Sequence, residues 1–239
     1  LVSQVFDEQT LAAMPGHVAV GHCRYSTTGS TTWENAQPVF RNTAAGTGVA
    51  LGHNGNLVNT AELAARARDE GLMSNRGATA ATTDSDILGA LLAHGAADSS
   101  LEQAALELLP TVRGAFCLTF MDENTLYAAR DPYGVRPLSL GRLDRGWVVA
   151  SETAALDIVG ASFVRDIEPG ELLAIDADGV RSTRFANPTP KGCVFEYVYL
   201  ARPDSTIVGR SVHATRVDIG RRLAREKPVD ADLVIGVPE

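Results

Sequence analysis

The sequence predicts an α+β protein in which antiparallel sheets are packed together and covered by helices. Three observations carry that expectation. The apolar pattern switches between period two and period 3.6, so strands and helices are both present. The segments of helical period cluster between residues 59 and 109. From Gly114 onward, short apolar runs follow one another through tight turns. Strands joined so closely pair antiparallel, because a parallel crossover needs about a dozen connecting residues.

The elements follow in order. Val49-Ala50-Leu51 reads as an apolar strand running into His53-Asn54-Gly55-Asn56-Leu57, a tight strand-to-helix connection built on a common turn dipeptide. Asn59 and Glu62 are spaced as a capping box, opening a helix that Gly71 closes. Residues 78–83 are small and polar, with no core-forming side chain, and read as a mobile loop. In Asp84 to Gly95, Ile87, Leu88, Leu91 and Leu92 line one helix face, with Gly95 as the stop. Ser99 and Glu102 cap a third helix that runs to about Leu109. Strands are expected at Ala115 to Met121, Thr125 to Arg130, Pro137 to Leu140, Trp147 to Ser151, Glu171 to Ile175 and Val180 to Phe185. Turn signals such as Asp144-Arg145-Gly146 and Asp178-Gly179 separate them. The prolines of Asn187-Pro188-Thr189-Pro190 suggest a linker. Beyond it, a strand-like Val194 to Leu200, a helix from about Ser211 to Glu226 with Ile219 and Leu223 on one face, and an apolar strand from Ala231 begin a second domain.

Composition narrows the function classes. The chain has 239 residues, 45% of them hydrophobic, enough for one large core or two modest ones. With 21 Lys plus Arg against 29 Asp plus Glu, the net charge is −8, which argues against nonspecific nucleic-acid binding. No apolar stretch approaches the roughly 20 residues of a spanning helix, so no membrane role is expected. Cys23, Cys117 and Cys193 form no C-x-x-C pair, which suits a reducing compartment, and the expected location is the cytoplasm. His22 and Cys23, as strand neighbours, point to opposite faces and make a poor dyad. Cys23 and Cys117 read as buried structural thiols.

Three short segments are candidates for chemistry, and each also has a purely structural reading. In Gly21-His22-Cys23-Arg24-Tyr25-Ser26-Thr27-Thr28-Gly29, the Arg24 fork and nearby hydroxyls suit a carboxylate, or else Arg24 is a surface arginine at a strand end. Asn54 and Gly55 form either a turn or an oxyanion hole, with an amide and a backbone N–H aimed at one developing charge. Asp84 and Asp86 are helix N-terminal acids, and one of them suits a ligand ammonium. An arginine at one end of a pocket and a carboxylate at the other suit a zwitterion, namely a free amino acid.

Taken in order, that first segment, Glu34-Asn35-Ala36-Gln37-Pro38, His53-Asn54-Gly55-Asn56-Leu57 and Thr83-Asp84-Ser85-Asp86 resemble a class II glutamine amidotransferase domain. Arg130-Asp131-Pro132-Tyr133-Gly134-Val135-Arg136-Pro137-Leu138 and Ala150-Ser151-Glu152-Thr153 resemble its second half. Phe195-Glu196-Tyr197-Val198-Tyr199-Leu200-Ala201-Arg202-Pro203-Asp204-Ser205, with Val212-His213, is similar to the glutamine phosphoribosylpyrophosphate amidotransferase family.

The resemblance implies a four-layer αββα sandwich of the N-terminal-nucleophile hydrolase type over residues 1–187. Residues 188–239 would then be a linker and the start of an α/β phosphoribosyltransferase domain. It implies glutamine hydrolysis supplying ammonia to phosphoribosylpyrophosphate, giving 5-phosphoribosylamine for purine synthesis. Arg24 would grip the glutamine α-carboxylate and Thr27 would be a neighbouring contact. Asn54 and Gly55 would form the oxyanion hole, and Asp84 would receive the α-amino group. The family's nucleophile is an N-terminal cysteine, whereas residue one here is Leu1, so about 50 family residues are expected to precede it. Mg2+ and phosphoribosylpyrophosphate would bind beyond Glu239, and a homo-oligomer is expected. Cys193 stands where some members place one ligand of a 4Fe–4S cluster, with a packed thiol as the competing reading. Two alternatives remain: a catalytically empty amino-acid-binding module, and the glutaminase domain of an asparagine synthetase, which needs an ATP-binding domain after residue 239.

Overall fold

A computed structural model describes residues 6–23, 35–72 and 83–236. In chain order the elements are α1 (Glu8–Ala12), β1 (Val39–Asn42), β2 (Gly48–Leu57), α2 (Thr60–Asp69), α3 (Asp84–Gly95), α4 (Leu101–Leu108), β3 (Gly114–Met121) and β4 (Leu126–Arg130). There follow β5 (Ser139–Leu143), β6 (Gly146–Ala150), α5 (Thr153–Ile158), β7 (Ser162–Asp166), β8 (Glu171–Asp176) and β9 (Gly179–Arg184). A π-helical turn (Glu196–Leu200), β10 (Thr206–Ile207), β11 (Arg210–Ser211) and α6 (Val212–Glu226) complete the chain.

The chain divides into two compact units, residues 1–138 with 167–192, and 139–166 with 193–239. The first holds a six-stranded sheet of order β1-β2-β3-β4-β8-β9, antiparallel throughout. Helix α3 packs on β1 and β2 and is flanked by α2 and α4. Alternation along β2 puts Val49, Leu51, His53 and Leu57 in the buried layer. Ile87, Leu88, Leu91 and Leu92 of α3, all buried, join Val49, Leu51 and Leu57 in one core. Each such side chain contributes about 1.5 to 3 kcal/mol on leaving water. The second unit holds the antiparallel sheet β6-β5-β7, the ribbon β10-β11, α5 and α6.

Several expectations are corrected. His53-Asn54-Gly55 is not a turn: β2 runs straight through it and pairs with β3, Asn54 opposite Cys117 and Gly55 opposite Phe116. Asn59 makes no capping box. Its side chain instead donates to Thr111 O at 3.0 Å and accepts from Arg113 N at 3.0 Å, while Glu62 pairs with Arg113. The α2 helix does close at Gly71, whose φ of +72° suits glycine. Ser100, not Ser99, caps α4, accepting from Gln103 N at 3.1 Å. Val194 to Leu200 is helical rather than a strand, because Arg216 of α6 donates to the carbonyls of Tyr197, Tyr199 and Ala201. A run that is apolar but for Glu196 is too short to show a period that separates the two. Residues 231–236 are exposed and form no strand, which needs a partner to complete its ladder. Cys117 is buried as expected, but Cys23 is exposed and Gly21–Cys23 is not in a strand. The loop expected over residues 78–83 lies outside the described residues except for Thr83, the N-cap of α3.

Candidate functional site

The site is built on the half of β2 that outruns its neighbour. Strand β1 reaches only to Val39, opposite Leu51, so beyond that point β2 has β3 on one side and no strand on the other among the described residues. In an antiparallel pair, successive residues turn their N–H groups to opposite edges. Val58 N–H donates to Arg113 O at 2.9 Å, which assigns the even-numbered residues of β2 to β3. The odd-numbered N–H groups of His53, Gly55 and Leu57 therefore face the open edge.

Two of those three donors have side-chain acceptors. His53 N–H donates to Gln37 Oε1 at 2.7 Å, and Leu57 N–H reaches Asp84 Oδ2 at a longer 3.4 Å. The third, on Gly55, lies between them at an exposed position. The opposite strand cannot use it either. Phe116, which faces Gly55, has its C=O accepting from Asp131 N at 2.8 Å and its N–H donating to Asp131 Oδ2 at 3.2 Å. Gly55 itself has φ of +154°, and a Cβ there would fall 2.0 Å from Ala115 O, so only glycine fits. Asn54, next to it, is half-buried. An amide and an outward N–H on adjacent residues are the donors that an oxyanion needs.

Asp84 is the first residue of α3, where a carboxylate is favoured by the helix dipole. It is tied to the same strand twice, through Leu57 N–H and through His53, whose Nδ1 lies 3.5 Å from Asp84 Oδ2. Its other oxygen accepts from Ser85 N at 2.9 Å. Burial pushes the Asp84 carboxyl up. The hydrogen bond and charge of His53, with the N–H groups of Ser85 and Leu57, outweigh that and hold it below the ordinary 3.8. Two of its contacts are long, so the carboxylate retains lone pairs for an incoming ammonium. Asp86 has no such role, because it pairs with Arg41 of β1. Of the two acids, Asp84 is thus the one held at the β2 edge, and Asp86 the one engaged by Arg41.

Asn54, Gly55 and Asp84 are therefore assembled around one strand edge, whereas Arg24 and Thr27 lie outside the described residues. Sequence reasoning assigned no role to Gln37, His53, Arg130 or Asp131. Buried Arg130 donates to Arg136 O at 2.8 Å, Ile167 O at 2.7 Å and Gly134 O at 3.1 Å. Burial pushes the Asp131 carboxyl above 3.8, against the N–H groups of Phe116, Tyr133 and Val135 and the charge of Arg130. The adjacent charges of Arg130-Asp131 at the end of an apolar strand were the available signal. In the second unit, Glu152 Oε2 accepts from Arg202 N at 2.8 Å and Ser205 Oγ at 2.6 Å, joining two of the segments quoted above.

Cys193 is half-buried. A 4Fe–4S cluster takes four thiolates, the chain has three cysteines, and Cys117 is buried with its Sγ toward Arg136 O. The chain's own residues therefore do not fit that cluster. Among the described residues, no group of three or more His, Cys, Asp or Glu side chains is gathered to hold a metal ion, Mg2+ included. No described helix is long and apolar enough to cross a membrane.

The chain is similar to known proteins over its whole length. Amidophosphoribosyltransferase of Mycobacterium tuberculosis is 91% identical over 239 residues, covering 100% of this chain and 45% of that protein. The Bacillus subtilis enzyme of the same name is 38% identical over 240 residues, covering 100% of this chain and 49% of that protein. The chain thus spans about half the length of the relatives it matches. A solved structure of glutamine phosphoribosylpyrophosphate amidotransferase from Bacillus subtilis, complexed with ADP and GMP, superimposes with a TM-score of 0.79 at 38% identity. That match covers 88% of this chain and 44% of the other. The family model for the glutamine amidotransferase domain matches residues 22–158, and by that match the chain belongs to the glutamine amidotransferase domain family.

Proposed function

We propose that this chain is the glutamine-hydrolysing part of an amidophosphoribosyltransferase, with residues 1–187 as the amidotransferase domain and 188–239 as a linker and the start of a phosphoribosyltransferase domain. Glutamine binds with its α-carboxylate on Arg24, beside Thr27, and its α-ammonium on Asp84. A cysteine outside this chain, with its own α-amino group as base, attacks the side-chain amide carbon. The carbonyl oxygen becomes an oxyanion held by the Asn54 amide and the Gly55 N–H. The C–N bond breaks, the nitrogen leaves as ammonia with the proton returned by the α-amino group, and water hydrolyses the thioester to glutamate. The ammonia passes to phosphoribosylpyrophosphate, giving 5-phosphoribosylamine, the first step of de novo purine synthesis. Phosphoribosylpyrophosphate and Mg2+ belong to the phosphoribosyltransferase part, and the enzyme works in the cytoplasm as a homo-oligomer.

The observation that carries this reading is the open-edge N–H of Gly55, set between two donors that are already held. Asn54→Ala in the full-length protein tests it. As an oxyanion donor, Asn54 acts on charge present only in the transition state, so its loss lowers the glutamine kcat about a hundred- to a thousandfold with little change in KM. The reaction with free ammonia persists. An unchanged glutamine kcat would refute the reading.

A further inference from the structure

Among the described residues, the edge of β2 that carries Gly55 has no neighbouring strand. A strand would supply a carbonyl to each outward N–H. At His53 that carbonyl is replaced by a side chain, Gln37 Oε1, at 2.7 Å, on the stretch of chain just before β1. This is the shorter of the two edge contacts, since Leu57 N lies 3.4 Å from Asp84. It fixes the peptide plane between Gly52 and His53. The next plane is held through His53 O, which accepts from His22 Nε2 at 3.1 Å. The plane after that carries the Gly55 N–H. That plane is anchored on its inner side by the β3 ladder at Asn54, opposite Cys117, and glycine has no side chain to steady it, so on the outer side its direction depends on the planes before it.

We infer that Gln37 is a positioning residue for the oxyanion hole, its side-chain carbonyl accepting from the outer edge of β2 at His53 and helping to aim the Gly55 N–H. This rests on the glutaminase reading above. Gln37 touches no reacting atom on this account. It acts through His53, which is buried, and the effect belongs to the chemical step rather than to glutamine capture. Misplacing such a donor by about an ångström costs on the order of a hundredfold in rate.

The test compares Gln37→Leu, Gln37→Glu and Asn54→Ala in the full-length protein, with glutamine and with ammonium chloride as nitrogen sources. Gln37→Leu removes the acceptor and is expected to lower the glutamine kcat about ten- to a hundredfold, leaving the glutamine KM and the ammonia-dependent rate unchanged. Gln37→Glu keeps an acceptor oxygen and should retain a clearly higher kcat than Gln37→Leu. An unchanged kcat in Gln37→Leu, a rise in KM alone, an equal loss of the ammonia reaction, or equal losses in the Leu and Glu variants would each overturn the inference. Asn54→Ala separates the two levels. If it retains the wild-type glutamine kcat, the oxyanion reading itself has failed. If it loses kcat while Gln37→Leu does not, only the role of Gln37 has failed.

Discussion

The carbonyl oxygen of Ala115 lies 2.0 Å from the point where a Cβ on Gly55 would sit. Strands β2 and β3 have closed on each other there to a distance that admits only hydrogen, and the donor next to Asn54 depends on that approach. Gly55→Ala must therefore part the strands or turn the peptide. The expected cost is about 1 to 3 kcal/mol of stability, with at least a hundredfold loss of glutamine kcat. Thermal unfolding and the two nitrogen-source activities of the full-length protein check this together. A variant with wild-type glutamine turnover would show that the backbone at residue 55 is not a donor.

Asp84 is held below 3.8, so its contribution to stability is present above that value and is lost as pH falls through the lower folded-state value. The melting-temperature gap between wild type and Asp84→Asn should accordingly narrow on acidification through this range. At neutral pH the same variant loses an ionic contact to the α-ammonium, which raises the glutamine KM about ten- to a hundredfold. A constant gap from pH 6 to about pH 3, taken across the ordinary carboxylate range, would contradict the assignment.

Arg24→Lys replaces a planar fork by a point charge. Losing one bidentate, charge-assisted contact costs on the order of 1.5 to 3 kcal/mol, or about ten- to a hundredfold in the glutamine KM. The ammonia-dependent reaction is expected to stay near wild type. Steady-state kinetics with both nitrogen sources decide the matter, and equal losses in both would make Arg24 a structural residue.

Much of the fold was legible because its elements carry strong local signals. Helix α3 was bounded at Asp84 and Gly95 by its apolar spacing and acidic start, and β3, β4, β8 and β9 fell within about a residue of their expected limits. What misled was local chemistry overridden by tertiary partners. Asn-Gly looked like a turn, yet β3 and Asp131 hold it inside a strand. Asn59 and Glu62 looked like a capping box, yet both are used by the segment leading into β3. Helix α5 and β7 gave no clear period and went unnoticed. At the candidate site, Asn54, Gly55 and Asp84 were singled out by residue type, and the structure gathers them at one strand edge. Gln37 and His53 were not, because a side chain that accepts from a strand's outer N–H has no signature in sequence.

The open edge of β2 also sets a rule of counting. Its donors at residues 53, 55 and 57 share an edge only because they are two apart. Adding or deleting one residue between Leu51 and Gly55 would turn the glycine N–H inward toward β3 and present its neighbour's instead. Placed before His53, such a change would also move the His53 side chain from the buried layer to the opposite face. Changes in length are expected to be tolerated in the turn after β1, which lies outside this register. Between the apolar anchor at Leu51 and the glycine, variation is confined to substitution, and any related sequence should preserve the odd number of residues separating them.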